Sequence, residues 1–387
     1  MKNKKIFAMS SILMVVLGAS DAMRGIFSPL FIESFGFTVE QIGIIMAVSY
    51  LGNLVCLLFG GAILDKIGFK KAFLLFLFAL AFSELLLILG RNYAFILIGF
   101  FLTLGISTLL STSINIISNE FSNTNALMFL NILFFIQGIG TTLSQLLLSN
   151  FSSSIYAWNI ALICFSALLS LIALSFARTD FISSKTNEKE IMTTNKMRCK
   201  SNTKLFALTI SLAFYLIAEH GVTNYIMMYG HEYLKLEKEY VGTALASFSF
   251  GIMAGRLIIA PVIHKIGKWR VLLLLMTLNV ISLAAVFVFD ILNLVFLSGL
   301  SCSIVYPTLV NLAKDFVSAS MEARATTTVV SIASAFDISF NFIFGFAITK
   351  IGYKIAIELI PLSATISLLF LIWTKLMASG KSIPDKC

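Results

Sequence analysis

Few residues of this chain can do acid–base or ligand chemistry, and most of those stand inside apolar surroundings. Asp21 and Arg24 interrupt the first apolar run, Glu219 and His220 are adjacent in a later one, and Asp337 sits in another between Ser334 and Asn341. Spacings of three and four place side chains on one helix face. An ionisable group at mid-bilayer costs about 2.5–3.5 kcal/mol on insertion scales, so each one asks for a purpose. Two purposes fit Asp21 and Arg24. They can be a buried ion pair that locks the first helix, or a carboxylate that binds and releases a proton as its cationic neighbour comes and goes. A lone buried histidine is usually a satisfied core residue. His220 has Glu219 beside it, with Asn224 and Tyr225 one turn on, and that company points to a cavity wall. Imidazole also changes charge near neutral pH. Asp337 fits a cavity role and a contact with a partner helix equally well. Asp21, Glu219, His220 and Asp337 are the candidate proton-coupling groups.

Neutral polar residues form stripes as well. Ser107, Ser111 and Asn115 are spaced by four, as are Gln137, Thr141 and Gln145, and Tyr306 and Asn311 lie together in a further run. Hydroxyls and amides on several helices suit a polyhydroxylated solute, whose groups they satisfy without demanding charge. The same groups serve hydrogen bonds between membrane helices. The candidate substrate-binding residues on this basis are Arg24, Ser111, Asn115, Gln137, Asn224, Tyr225, Tyr306, Asn311 and Asn341.

Positioning such groups falls to membrane helices. Of 387 residues, 58% are hydrophobic and 12% charged, and the mean hydropathy is +0.95. A soluble domain carries about a quarter charged residues, so this surface must face lipid. Apolar runs of spanning length fall near 6–32, 40–63, 70–90, 93–118, 126–149 and 156–177, then near 205–230, 240–263, 270–289, 291–313, 325–348 and 355–376. We number them spans 1 to 12. The expected fold is all-α and integral to the membrane, with twelve helices in two pseudo-symmetric bundles, 1–177 and 205–387. A polar cytoplasmic linker, 178–204, joins them. The first run is too long for a signal peptide and reads as a retained span.

The net charge is +9, yet the basic residues sit in short segments between apolar runs, which suits membrane topology and not nucleic acid. With both termini inside, only Arg91, Lys235, Lys238, Lys350 and Lys354 fall outside, and Arg24 and Arg256 fall within spans. The rest of the 28 Lys and Arg are then cytoplasmic, as the positive-inside rule requires. The halves also repeat at an offset of 199 residues: Glu40 falls on Glu239, Gly43 on Gly242, Gly52 on Gly251, Lys66 on Lys265, Gly68 on Gly267 and Lys71 on Arg270. Parallel repeats with a site between them are an architecture of secondary transporters.

The segment Gly61-Ala-Ile-Leu-Asp65-Lys66-Ile-Gly68-Phe-Lys70-Lys71 resembles the loop 2–3 signature of the major facilitator superfamily, with a weaker partner at Gly251 through Arg256 and His264 through Gly267. The fucose/galactose/glucose:proton symporter branch is similar at Asp21 through Gly25 with Pro29, Gly105 through Asn115, Asn131 with Gln137 through Gly140, Tyr215 through Glu219, Gly255-Arg256 and Tyr306-Pro307. That resemblance adds Asn131 to the substrate set. It implies a gating role for Gly61, Asp65, Lys66, Gly68, Lys71 and Arg256. It makes spans 3 and 12 peripheral supports, so Glu84 and Glu358 are read as structural. The sequence departs from the branch at Ser111, where the branch carries an acid, and in the placement of Asp21 relative to Pro29.

Five scattered cysteines give no metal or disulfide pattern, and no GxxxxGK[ST] loop is present. The expectation is a transporter and not an enzyme, without cofactor or metal. It would be driven by a proton or, failing that, sodium, act as a monomer, and sit in a bacterial cytoplasmic membrane. Its solute is expected to be a small sugar taken up by symport. The alternative is a proton-antiport exporter of a drug or metabolite, although span 5 has no proline of the exporter type.

Overall fold

The structure is a computed structural model that describes residues 2–89, 92–121, 126–178, 203–259, 261 and 263–379. Nearly all of the expected linker lies outside these residues. Regular structure among them is entirely helical: α1 (Lys2–Ile26), α2 (Ser28–Glu33), α3 (Val39–Ile67), α4 (Phe69–Ile88), α5 (Tyr93–Phe121), α6 (Ala126–Leu148), α7 (Ile155–Ala177), α8 (Thr203–Met228), α9 (Lys238–Ile259), α10 (Ile263–Ile266), α11 (Lys268–Phe287), α12 (Val295–Cys302), α13 (Val305–Leu312), α14 (Glu322–Ile351), α15 (Tyr353–Ile357) and α16 (Leu359–Ser379). Twelve stretches among the described residues are long and apolar enough to cross a membrane.

Two of the expected spans are broken near a proline, and span 12 is interrupted at Glu358, between α15 and α16. Span 1 interrupts at Phe27, and Pro29 sits in the first turn of α2, where its missing N–H costs nothing. Span 10 divides into α12 and α13 around Ser303 and Ile304, just before Pro307. Proline removes a helical hydrogen bond and crowds the preceding turn, which accounts for the position of the second break. At other ends the caps are explicit. Thr38 and Gln41 form a capping box at the start of α3, and Gly68 ends α3 with φ 81°. Its repeat partner Gly267 takes φ 94° before α11, a conformation that L side chains rarely adopt.

Packing follows the repeat. In the first half α1 lies on α6, α3 on α5 and α4 on α7, and in the second half α8 lies on α14, α9 on α12 and α11 on α16. Gly52 and Gly251 stand at equivalent crossings, where a Cβ would overlap the carbonyl oxygens of Phe101 and Phe296. The halves meet through α3 against α14 and α6 against α9. On the face away from the termini, which we term distal, Glu33 of α2 pairs with His231 and Lys238, and Ser153 bonds Lys238. At mid-depth Gly25 lies against the Thr223 carbonyl and Gly138 against Met253. On the terminal side, Leu57, Leu58, Phe59 and Ile63 of α3 and Leu257 and Ile258 of α9 are exposed. The polar contacts named here tie the halves at the distal face.

Candidate functional site

Among the described residues, the buried Arg24 and Asp337 and the partly buried Asp21 and His220 gather where the halves meet at mid-depth. Residue by residue, they form a network from α1 to α14. Asp21 Oδ2 accepts a hydrogen bond from Ser107 of α5 at 3.1 Å. One turn on, the Arg24 guanidinium lies over the Tyr50 ring of α3, 5.0 Å from its centroid. Tyr50 also meets the second half: the His220 ring of α8 stacks on it with centroids 4.5 Å apart and planes 14° from parallel. His220 Nδ1 is 2.6 Å from Asp337 Oδ2 of α14. Asn341 donates to Asp337 Oδ1 at 3.1 Å, Asn224 donates to Asn341 Oδ1 at 3.0 Å, and the Tyr225 hydroxyl donates to that same oxygen at 3.1 Å. Asn224 Nδ2 also reaches the Tyr50 hydroxyl at 3.2 Å, which closes the link back to the first half.

Local helix geometry explains the assembly. Asp337 and Asn341 are four apart on α14, and His220 and Asn224 are four apart on α8, so each pair presents two polar groups on one face. The two helices pack against each other and bring the pairs together. Inside an apolar bundle such groups are satisfied by one another or not at all.

Asp21 and Arg24 depart from the ion pair allowed by their spacing. Arg24 Nε reaches the Asp21 carbonyl oxygen at 3.5 Å, its charge faces Tyr50, and the two side chains form no ion pair. Asp21 Oδ1 and Arg24 Nη1 are buried without a hydrogen-bond partner. A buried unsatisfied polar atom costs about 1–3 kcal/mol, and these two belong to the charged groups of the network.

Glu219 points elsewhere, into electrostatic reach of Tyr215, Cys302 and Tyr306. It lies beside the α12–α13 break and forms none of the hydrogen bonds of the network, although its charge is still felt by His220 and Tyr50. Glu84 is fully buried on α4 and accepts from Ser20 of α1 at Oε1, while its Oε2 has no hydrogen-bond partner. Ser111 and Gln137 are half-buried, and Tyr306 and Asn311 are exposed on α13. The side chains of Asn115, Asn131 and Asp65 lie outside the described residues. Gly61, Lys66, Gly68 and Lys71 are exposed on the terminal side. Arg256 donates to the Ser303 carbonyl at 3.4 Å, so it braces the α12–α13 break within its own half. Glu33, His231 and Glu232 bring donor atoms within 4.8 Å of one another. The Lys238 ammonium is 2.8 Å from Glu33, so the cluster balances its own charge as an ion-pair group.

Sequence reasoning missed Tyr50. It stands in an apolar run beside no ionisable residue, and only the packing of α3 beside α8 and α14 reveals it. A groove of about 600 Å³ lined by Leu273, Leu274, Leu278 and Ile281 lies between α11 and α16 on the outer surface, away from this network.

The model of the Major Facilitator Superfamily matches residues 10–334, and the chain belongs to that family. It is a transporter and not an enzyme. Among solved structures it is similar to a variant of the nucleoside transporter NupG, at 13% identity and TM-score 0.79 over 97% of this chain and 100% of that one. It is also similar to a variant of the E. coli fucose:proton symporter FucP, at 17% identity and TM-score 0.65 over 97% and 99%. A third likeness is to a bacterial homologue of the human lysosomal transporter Spinster, inward-facing and unoccupied, at 12% identity and TM-score 0.70 over 96% and 95%. No curated protein matches.

Proposed function

We propose that this transporter carries a small polyhydroxylated solute, a sugar or a molecule that bears one, by proton-coupled symport. The observation that carries the reading is the network from Asp21 to Asn341, which crosses both halves and leaves Asp21 Oδ1 and Arg24 Nη1 without partners. A solute hydroxyl accepts from a guanidinium and donates to a carboxylate at once, so it suits both unpartnered atoms. Arg24 also favours a neutral or anionic solute over a cation.

Each half contributes an acid: Asp21 in the first, Asp337 in the second. A rocking motion between halves alters what surrounds each one. Asp337 has His220 and Asn341 as side-chain partners, while the Asp21 carboxyl bonds only the Ser107 hydroxyl. Asp21 is therefore the group freest to exchange a proton, and Asp337 with His220 holds the second half of the site in shape. The terminal side is cytoplasmic in this reading, so the distal closure corresponds to an inward-facing state. The linker, loop 2–3 and Asp65 then lie on the cytoplasmic side, and the membrane is a bacterial cytoplasmic one.

The test is uptake of labelled sugars and nucleosides into proteoliposomes under an imposed inward proton gradient. Accumulation of one of them that collapses with the gradient supports symport. If none moves inward and efflux of a loaded solute is driven instead, the exporter reading replaces this one.

A further inference from the structure

We propose that His231 is a second proton-binding site, remote from the central network, and that the proton bound there closes the distal gate. His231 lies in the wide turn Tyr229–Tyr233 that ends span 7. Its Nδ1 faces the Leu236 carbonyl oxygen at 3.1 Å, and its Nε2 faces Glu33 Oε1 at 3.1 Å. Both partners are acceptors. A neutral imidazole has one donor nitrogen and one acceptor, so it satisfies only one of these contacts and turns a lone pair on the other. Both contacts form together only when both nitrogens carry hydrogen. The closed arrangement is thus written in the imidazolium form.

The contact matters because it crosses between halves. Glu33 is the last residue of α2 in the first half, and His231 belongs to the second. The charged groups around the imidazole come from three elements. Lys238 from α9 sits 2.8 Å from the same Glu33 oxygen, Ser153 anchors Lys238 from the first half, and Glu232 follows His231 on its own turn, within electrostatic reach of Tyr353. Glu33 is ionised in this setting: partial burial pushes its carboxyl up, but bonding from Lys238 and Ser153 and the charges of Lys238 and His231 outweigh that and hold it below the usual range. The carboxylate is there to receive the proton's charge, and Lys238 alone supplies half of the clasp.

Opening the gate separates His231 from Glu33, which removes the reason for the second N–H. Proton binding and gate closure are therefore linked and must favour each other equally. A proton arriving from the distal side promotes the closed state, which in an importer is the step that carries a loaded site inward. The inference rests on alternating access and on no particular solute.

The experiment is double electron–electron resonance on the full chain in lipid nanodiscs without substrate. Spin labels replace the exposed Asn150 and Glu239 at the distal ends of the two halves in a cysteine-free background. Between about pH 8 and pH 5.5 the wild-type closed-to-open ratio rises on the order of tenfold. His231→Gln flattens that rise, and His231→Arg, a fixed cation, stays closed at both ends. A His231→Gln protein with the full wild-type response overturns the proposal. So does a His231→Arg protein that folds, by its gel-filtration profile, and still opens at alkaline pH as the wild type does. Because no solute is used, either result is independent of the symport reading.

Discussion

Tyr50 carries three contacts at once: Arg24 over its ring, His220 stacked on it and Asn224 at its hydroxyl. The contacts separate by substitution. Tyr50→Phe removes only the hydroxyl bond and is expected to cost about 0.5–1.5 kcal/mol of stability. Tyr50→Ala also strips the cation–π contact and the stack, so its melting temperature falls further and transport is lost. If the two variants melt alike, the ring is not what joins the halves. Asp337 tests the second half. Asp337→Ala leaves His220 and Asn341 without their shared acceptor at a cost of about 1–3 kcal/mol. Asp337→Asn keeps the shape and a bond to Asn341, so it should retain most of the stability and of the transport that Asp337→Ala loses. The ionisable groups and their stripes were legible as isolated spots in apolar sequence. Which of them meet was not, because adjacency along a helix says nothing of what faces it. Glu219 and His220 are neighbours in sequence, yet turn to different partners.

At the scale of elements, the repeat was the most informative signal. The offset that aligns Gly52 with Gly251 marks two helix crossings where only a hydrogen fits, and the same offset aligns Gly68 with Gly267 at two helix ends of positive φ. Gly52→Val and Gly251→Val should each destabilise the protein by about 1–3 kcal/mol, since a backbone carbonyl stands where the side chain must go. Gly61→Ala is the control. Nothing lies within 4 Å of a Cβ there, so its melting temperature should not change, and any loss of transport would belong to gating. Equal destabilisation at all three positions would contradict the packing account. Span count and span positions followed from hydropathy alone. The break at Phe27 and the division of span 10 did not, although Pro29 and Pro307 lie just beyond each, because proline is also tolerated within membrane helices.

For the whole molecule, closure of the distal face depends on ionised Glu33. Its carboxyl is depressed, so its contribution is fully present above the ordinary carboxylate value, about 4.3, and is lost as pH falls through the lower folded-state value. Glu33→Gln should therefore shift the population toward the distally open state at neutral pH, and strong acid should do the same to the wild type. Maleimide labelling of a cysteine placed at Asn53, three residues beyond Tyr50 on α3, reads this from the distal side. Unchanged labelling in Glu33→Gln would remove Glu33 from the gate. No sequence signal pointed to this clasp: Glu33, His231 and Lys238 fall between the expected spans, in short polar segments that hydropathy treats as loops.

The central claim is that Asp21 couples solute movement to the proton. The most direct measurement compares wild type with Asp21→Asn in proteoliposomes, using the solute found by the uptake panel, for gradient-driven accumulation and for one-to-one exchange at equal pH. The account predicts that the variant loses accumulation and keeps exchange, because the site still binds and rocks but no longer needs a proton to do so. A variant that accumulates solute as the wild type does would contradict it.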